Sequence, residues 1–465
     1  MCCIALFFFS TLLCSCIQDV QEDCPRPDVD FISKMPDLVL VDILSRLPLK
    51  QAVTTGVLSP RWRFVWCSLN KLDFVGSTTL AKMDGKLCDL ERAKYINQVN
   101  NVIGSLRSHT SPMLQSIKIS FDLDKTCFKD INNWLRFALD KKVEVLEMDL
   151  RVTKENYEFP LPLSDGNMVC LSERPSSSSM VVETMPFKKL SLLFVNVSDL
   201  TLKLLLKNSP NLEMLYIHGS ELLADVDVGG QDINIKHFTL TGNLEVQSVS
   251  LNDFDLEKFH YIGRDIVIRL RNLPKIKEVC IGIVSVGLKN NVFTAISSVA
   301  SYLEVLNLSI DRREEDLNIK AIPGLPNVKT LKLTIQTEKY DSLIAFIEIA
   351  KKCPKLKTFV VSLCWCTPIT RNKTQYPAIG HHFPHLKHLE IGGYRGLVSD
   401  FQIALYMMGN AFDTLKKIVI DPSIHPFDEL VLNAEESLKR EEAGRSHAKS
   451  ELSQCLPPGV ELVIH

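Results

Sequence analysis

The sequence predicts an α/β protein in three parts. A short all-α segment leads into a solenoid whose curved parallel β-sheet has helices and loops outside it, and a helix-plus-strand cap closes the far end. Three observations carry that expectation. Proline-led helical patterns fill residues 35–69. Beyond them, a motif of apolar, two variable, apolar, one variable, apolar residues recurs along most of the chain. The chain then ends on a charged helical tract, Glu435 to Glu442, and a strand-like Gly459-Val-Glu-Leu-Val-Ile464. The expected domains are an apolar, irregular segment at 1–30, a helical segment at 31–72, repeats at 73–339, and terminal repeats with the cap at 340–465.

In the helical segment, Pro36 has a fixed φ suited to a helix start, and Asp37 adds negative charge to the first turn. Leu40, Ile43, Leu44 and Leu47 recur at i, i+3, i+4 and i+7, one apolar stripe that Pro48 terminates. Ser59-Pro60 is a second cap and first turn, followed by Trp62, Val65, Trp66 and Leu69 at helical spacing. About forty residues cannot enclose two tryptophans and so many leucines alone, so a partner surface is expected.

These residues, MPDLVLVDILSRLPLK followed by VLSPRWRFVW, resemble an F-box, the helical segment that docks on the Skp-type adaptor of cullin–RING ubiquitin ligases. Met35 stands where leucine usually precedes the proline, and Gly56 where plant members commonly have serine. The resemblance implies that Pro36, Ile43, Leu44, Leu47, Pro48 and Trp66 bind the adaptor and, through it, a cullin.

The repeat motif appears as Leu114-x-x-Ile117-x-Ile119 and Val143-x-x-Leu146-x-Met148. Further units start at Leu190, Leu212, Ile235, Leu256, Ile276, Leu303, Val328, Leu356, Leu386 and Leu415. Their successive spacings are 22, 23, 21, 20, 27, 25, 28, 30 and 29 residues. Such spacings and leucine positions signal leucine-rich repeats, in which the alternating pair is a short strand. Pro210, Pro274, Pro326, Pro354 and Pro384 precede units and end the stretch before each. One unit cannot bury its own apolar face, so neighbours stack into a solenoid. Tyr157 to Met185 breaks the period and reads as a degenerate repeat with an exposed loop that carries Ser176–Ser179. The last 125 or so residues resemble the FBD segment that ends many plant F-box/leucine-rich-repeat proteins, and a charged helix with a strand suits a solenoid cap.

Charge and cysteine usage exclude several classes. With 53 basic and 55 acidic residues there is no polybasic nucleic-acid or membrane patch. The 14 cysteines show no paired CxxC pattern and read as buried thiols. Cys364 and Cys366 lie after one strand and His381, His382 and His385 before the next, at opposite strand ends, so no metal site is expected. Neither GxxxxGK[ST] nor a GxSxG elbow occurs, and no cofactor or catalytic residue is implied. The run Ile4 to Leu13 has signal-peptide length but no preceding Lys or Arg, and it is too short to span a bilayer. A misassigned start, a membrane tether, through acylated Cys2, Cys3, Cys14 or Cys16, and secretion all remain open for it.

With the motif residues pointing inward, the residues between and beside them form the concave face. This set includes Leu192, Phe194 and Asn196, then Met214, Tyr216 and His218, then His237, and finally His388. Phe194, Met214, Tyr216, His218, His237 and His388 are the expected target-binding residues, with Phe194 and Tyr216 facing each other on successive strands. The function expected is a cytoplasmic or nuclear, non-catalytic substrate receptor of a Skp–cullin–F-box ligase, acting by proximity on an unknown protein target. The alternative is a secreted or scaffold repeat protein that engages no ligase, with glycosylation expected at Asn196 or Asn372 if it is secreted.

Overall fold

The computed structural model describes residues 34–76, 85–108, 114–151, 155–171, 181–283, 290–311, 321–337, 343–365, 380–423 and 434–465. The expected segment 1–30, Ser176–Ser179, Cys366 and Asn372 lie outside them. The chain divides into two compact units between Leu69 and Asn70.

The first unit holds helices α1 (Asp37–Ser45), α2 (Leu49–Thr54) and α3 (Trp62–Val65), with 3-10 turns at Thr55–Val57 and Trp66–Ser68. Pro36 and Pro48 sit at the N-caps of α1 and α2, so the proline that ends one helix starts the next. Helix α1 packs on α2, α3 and the Trp66–Ser68 turn. Leu40, Leu44, Ala52, Trp62, Val65 and Trp66 are buried.

The second unit begins with β1 (Lys71–Val75), α4 (Gly85–Ser108), β2 (Ser116–Ser120), α5 (Phe128–Asp140) and β3 (Val145–Asp149). Four short strands surround the next repeat: β4 (Tyr157–Glu158), β5 (Leu161–Pro162), β6 (Met168–Val169) and, after β7 (Lys189–Leu193), β8 (Val195–Asn196). Then come α6 (Asp199–Lys207), β9 (Met214–His218), β10 (Asp225–Gly229), β11 (His237–Thr241), β12 (Ser248–Asn252), β13 (Lys258–Gly263) and β14 (Val267–Arg271). Next are β15 (Glu278–Ile283), α7 (Asn290–Val299), β16 (Val305–Asp311), β17 (Thr330–Thr337), α8 (Ile347–Lys351) and β18 (Thr358–Trp365). The chain finishes with β19 (His388–Gly392), α9 (Val398–Asn410), β20 (Lys417–Asp421), α10 (Ala434–His447) and β21 (Glu461–Ile464).

A 14-stranded sheet runs β1-β2-β3-β7-β9-β11-β13-β15-β16-β17-β18-β19-β20-β21. Its neighbours are parallel throughout, as a leucine-repeat solenoid requires. The register sets the motif's inward residues side by side. Leu190, Leu215, Phe238, Phe259 and Val279 form one buried row, and Leu192, Ile217, Leu240, Tyr261 and Ile281 the next. Burying each such side chain contributes roughly 1.5–3 kcal/mol.

The row also shows where the leucine spacing misleads. The unit read from Leu190 begins at the buried Phe187, because Phe187-x-x-Leu190-x-Leu192 matches Leu212-x-x-Leu215-x-Ile217 in register. Leu192 therefore points inward and is fully buried, and Ser191 takes the outward place opposite Tyr216.

Starting that unit at Phe187 also explains the opposite side of the solenoid. Units beginning at Leu212, Ile235 and Leu256 have 20 to 23 residues and carry β10, β12 and β14, which form a three-stranded parallel sheet. Units beginning at Phe187 and Ile276, 25 and 27 residues long, carry α6 and α7. A shorter unit has too few residues to bring the chain back through a helix. The outer runs DVDVG, SVSLN and VIRLR alternate strictly, burying Val226 and Val228, Val249 and Leu251, and Ile268 and Leu270. The expected helices outside are thus replaced by strands in these three units.

Residues 157–171 are more ordered than an exposed loop. β4 pairs with β8 and β5 with β6, and Tyr157, Phe159 and Leu161 are buried. At the far end β21 pairs with β20. Gly444 of α10 rides against the Tyr394 carbonyl so closely that a side chain there would collide with backbone.

Candidate functional site

In the helical unit, the six residues implied as adaptor contacts divide by exposure. Pro36 and Pro48 are exposed, and Ile43 and Leu47 are half-buried. Leu44 is 0% exposed and Trp66 6%, with Trp66 Nε1 donating to the Arg63 carbonyl at 2.9 Å. These two are interior groups that support the surface. The apolar groups that face water are Leu38, Val39, Val57, Leu58 and Phe64, the first 86% and the third 81% exposed. Arg61 on the approach to α3 binds the Asp37 carboxylate at 2.6 Å and the Met35 carbonyl, fixing the start of α1. Helical spacing found the stripe but not its direction, because both faces of α1 carry apolar residues.

On the long sheet, the outward residues of four consecutive strands surround an open depression of about 400 Å³. Glu147 of β3, Lys189, Ser191 and Leu193 of β7, Met214 and Tyr216 of β9, and His237 and Thr239 of β11 line it over a floor of Leu190 and Leu215. Met214, Tyr216 and His237 of the expected set are brought together here, while Lys189, Ser191 and Leu193 were missed through the shifted register. His218 stands at the rim, its Nδ1 2.8 Å from Thr241 Oγ1, which donates to Tyr216 Oη at 3.1 Å. Burial lowers the pKa of His218, and the Asp149 carboxylate opposes that shift. Burial also lowers His237, assisted by Lys258.

Phe194 does not face Tyr216. It follows β7 with φ +56°, and its ring meets that of His218 edge-on at 4.8 Å. In the next two units the equivalent residues, Gly219 and Gly242, also have positive φ. His388 is seven strands from β9, on the order of 30 Å along the sheet, where it lies 3.7 Å from Glu390. Asn196 is buried and its Oδ1 accepts from the Glu221 N–H at 2.9 Å, which leaves its amide poorly placed for a glycan.

Comparison with known proteins bears on both units. A family model described as the At1g61320/AtMIF1 LRR domain matches residues 105–436, more than half of the chain. An F-box domain model matches residues 32–74. The chain belongs to the plant F-box/FBD/LRR-repeat family. Among members from Arabidopsis thaliana, the F-box/LRR-repeat protein At5g02700 is 31% identical over 196 residues, 40% of this chain and 38% of that protein. The chain thus spans well under half the length of that relative. The F-box/FBD/LRR-repeat protein At4g26340 is 23% identical over 414 residues, 82% of this chain and 90% of its own length. The FBD-associated F-box protein At4g10400 is 26% identical over 372 residues, covering 68% and 80%.

For this F-box/LRR-repeat chain, no cluster of three or more metal-ligating side chains occurs among the described residues. Cys67, Cys127 and Cys353 are buried, and burial pushes their thiols up, Cys353 to about 12. No helix among the described residues is long and apolar enough to cross a membrane.

Proposed function

We propose that this F-box/LRR-repeat chain is the non-catalytic substrate receptor of a Skp–cullin–F-box ubiquitin ligase. Its helical unit would dock a Skp-type adaptor, and the open face of its long sheet would hold a protein target in the cytoplasm or nucleus. The reading rests chiefly on the helical unit, which leaves Leu38, Val57, Leu58 and Phe64 in water on so small a body. Exposed apolar groups at that density mark an interaction surface. The ligase then acts through proximity, so the chain supplies geometry and no acid, base or nucleophile. Residues 340–465 would form the FBD-like end, with β21 closing the sheet.

The test is co-expression with a Skp-type adaptor. Wild-type chain should retain the adaptor through size-exclusion chromatography, and Val57→Asp with Phe64→Asp should lose it while circular dichroism stays unchanged. A folded wild-type chain that elutes without adaptor would overturn the proposal.

A further inference from the structure

We infer that the depression spanning β3 to β11 receives an acidic–apolar peptide segment. A carboxylate side chain would sit between Lys189 and Tyr216, with an adjoining large apolar side chain on Met214 and Leu193. The inference rests on the substrate-receptor reading and names the chemistry of its target.

Charge is the first argument. Nearly every formal charge around the depression is met by an opposite one. Glu147 binds Lys118 at 2.6 Å, Asp149 binds Arg151 at 3.0 Å, Glu213 binds Lys236 at 2.7 Å, and Glu278 binds Lys258 at 3.0 Å. Even Lys188, next in sequence, pairs with Glu144 at 2.7 Å. Lys189 has no ion pair among the described residues, and its register partners are Val145 and Met214, neither of them charged. With His237 shifted toward its neutral form, Lys189 is the cation left uncompensated, among the described residues, over the leucine floor.

The second argument is the polarity of a hydrogen-bond chain. Thr241 donates its hydroxyl proton to Tyr216 Oη, and the same oxygen lies 2.8 Å from His218 Nδ1. Tyr216 Oη is thereby used as an acceptor. Its own proton has no acceptor among the described residues, on a side chain that lines the depression. Lys189 and Tyr216, on adjacent strands, therefore both offer donors, the combination that an ionised carboxylate satisfies.

The third argument is the apolar surface beside those donors. Met214 is 37% exposed and Leu193 half-buried, and an unbranched thioether adapts to whichever apolar side chain lies against it. A depression of about 400 Å³ is enough for one or two side chains. A purely apolar ligand would strip water from Lys189 and Tyr216 with no replacement partner, and a basic one would meet like charge.

The experiment measures fluorescence anisotropy of labelled Gly/Ser-flanked probe peptides on the full-length chain. The probes carry a central Asp-Leu, Asn-Leu, Lys-Leu or Asp-Gly. Asp-Leu should bind about tenfold tighter than the other three, Tyr216→Phe should remove part of that advantage, and Lys189→Glu should invert the order in favour of Lys-Leu. Equal binding of all four probes, or an order unchanged by Lys189→Glu, would overturn the inference. Adaptor retention is read separately. A chain that keeps its adaptor but does not discriminate among probes sinks this inference alone. A chain that discriminates without adaptor sinks the ligase reading and leaves the peptide site standing.

Discussion

At the scale of single residues, Phe194 is the clearest departure from expected backbone chemistry. A bulky side chain at φ +56° costs roughly 1–2 kcal/mol, and the units after it place glycine there. The ring lies over Gly219, where an added Cβ would come within 3.0 Å of it, so the two positions are complementary. Phe194→Gly should therefore melt higher than Phe194→Ala by the equivalent of about 1 kcal/mol, since only alanine keeps the strain once the ring is lost. Equal melting temperatures would mean that the backbone relaxes after truncation. The same stretch shows why part of the site was hard to read. Phe187, Leu190, Leu192, Leu193 and Val195 satisfy the repeat motif in two phases three residues apart, an odd offset that exchanges the inward and outward faces of the strand. Only pairing with β9 chooses between them, and the choice moves Lys189, Ser191 and Leu193 into the depression. Where one phase fits, as at Met214 and Tyr216, the outward residues were legible from sequence.

At the scale of elements, helix α9 is anchored by a buried carboxylate. Asp400 is 0% exposed and accepts the N–H groups of Arg395 at 2.7 Å, Gly396 at 3.1 Å and Phe401 at 2.8 Å. Burial pushes its carboxyl up to about 7, outweighing those hydrogen bonds, which pull it down. Because the folded value lies above the ordinary carboxylate value of 3.8, the native state holds a proton that the unfolded chain has released across that interval. Stability should thus fall as pH rises from about 4 to 7, by up to a few kcal/mol. Thermal unfolding measured from pH 5 to 8 should show a steeper decline for wild type than for Asp400→Asn, whose amide cannot titrate. Parallel profiles would place the titration elsewhere. No sequence motif marked this residue, because Asp in a helix's first turn is ordinary and its burial depends on the loop folded over it. The strands β10, β12 and β14 were legible in principle, since DVDVG, SVSLN and VIRLR alternate, but five-residue runs between stronger motifs read as spacers.

At the scale of the molecule, two compact units meet in sequence between Leu69 and Asn70, and each holds its own core. Leu44→Ala should cost the first unit about 2–5 kcal/mol, a large share of what so short a body can hold. Hydrogen exchange should then quicken across residues 37–69 and remain slow in β9 to β19. Faster exchange throughout would show that the units unfold as one. The repeats also carry a mechanical consequence. Strands stack at about 4.8 Å, whereas packed helices need roughly 8–10 Å, so a unit with a strand inside and a helix outside is a wedge. The three units carrying β10, β12 and β14 have the same pitch on both faces and are closer to plates. A stack of plates has little curvature to flatten, so β9 and β11, which belong to two of these plates, hold their half of the depression at a fixed strand pitch.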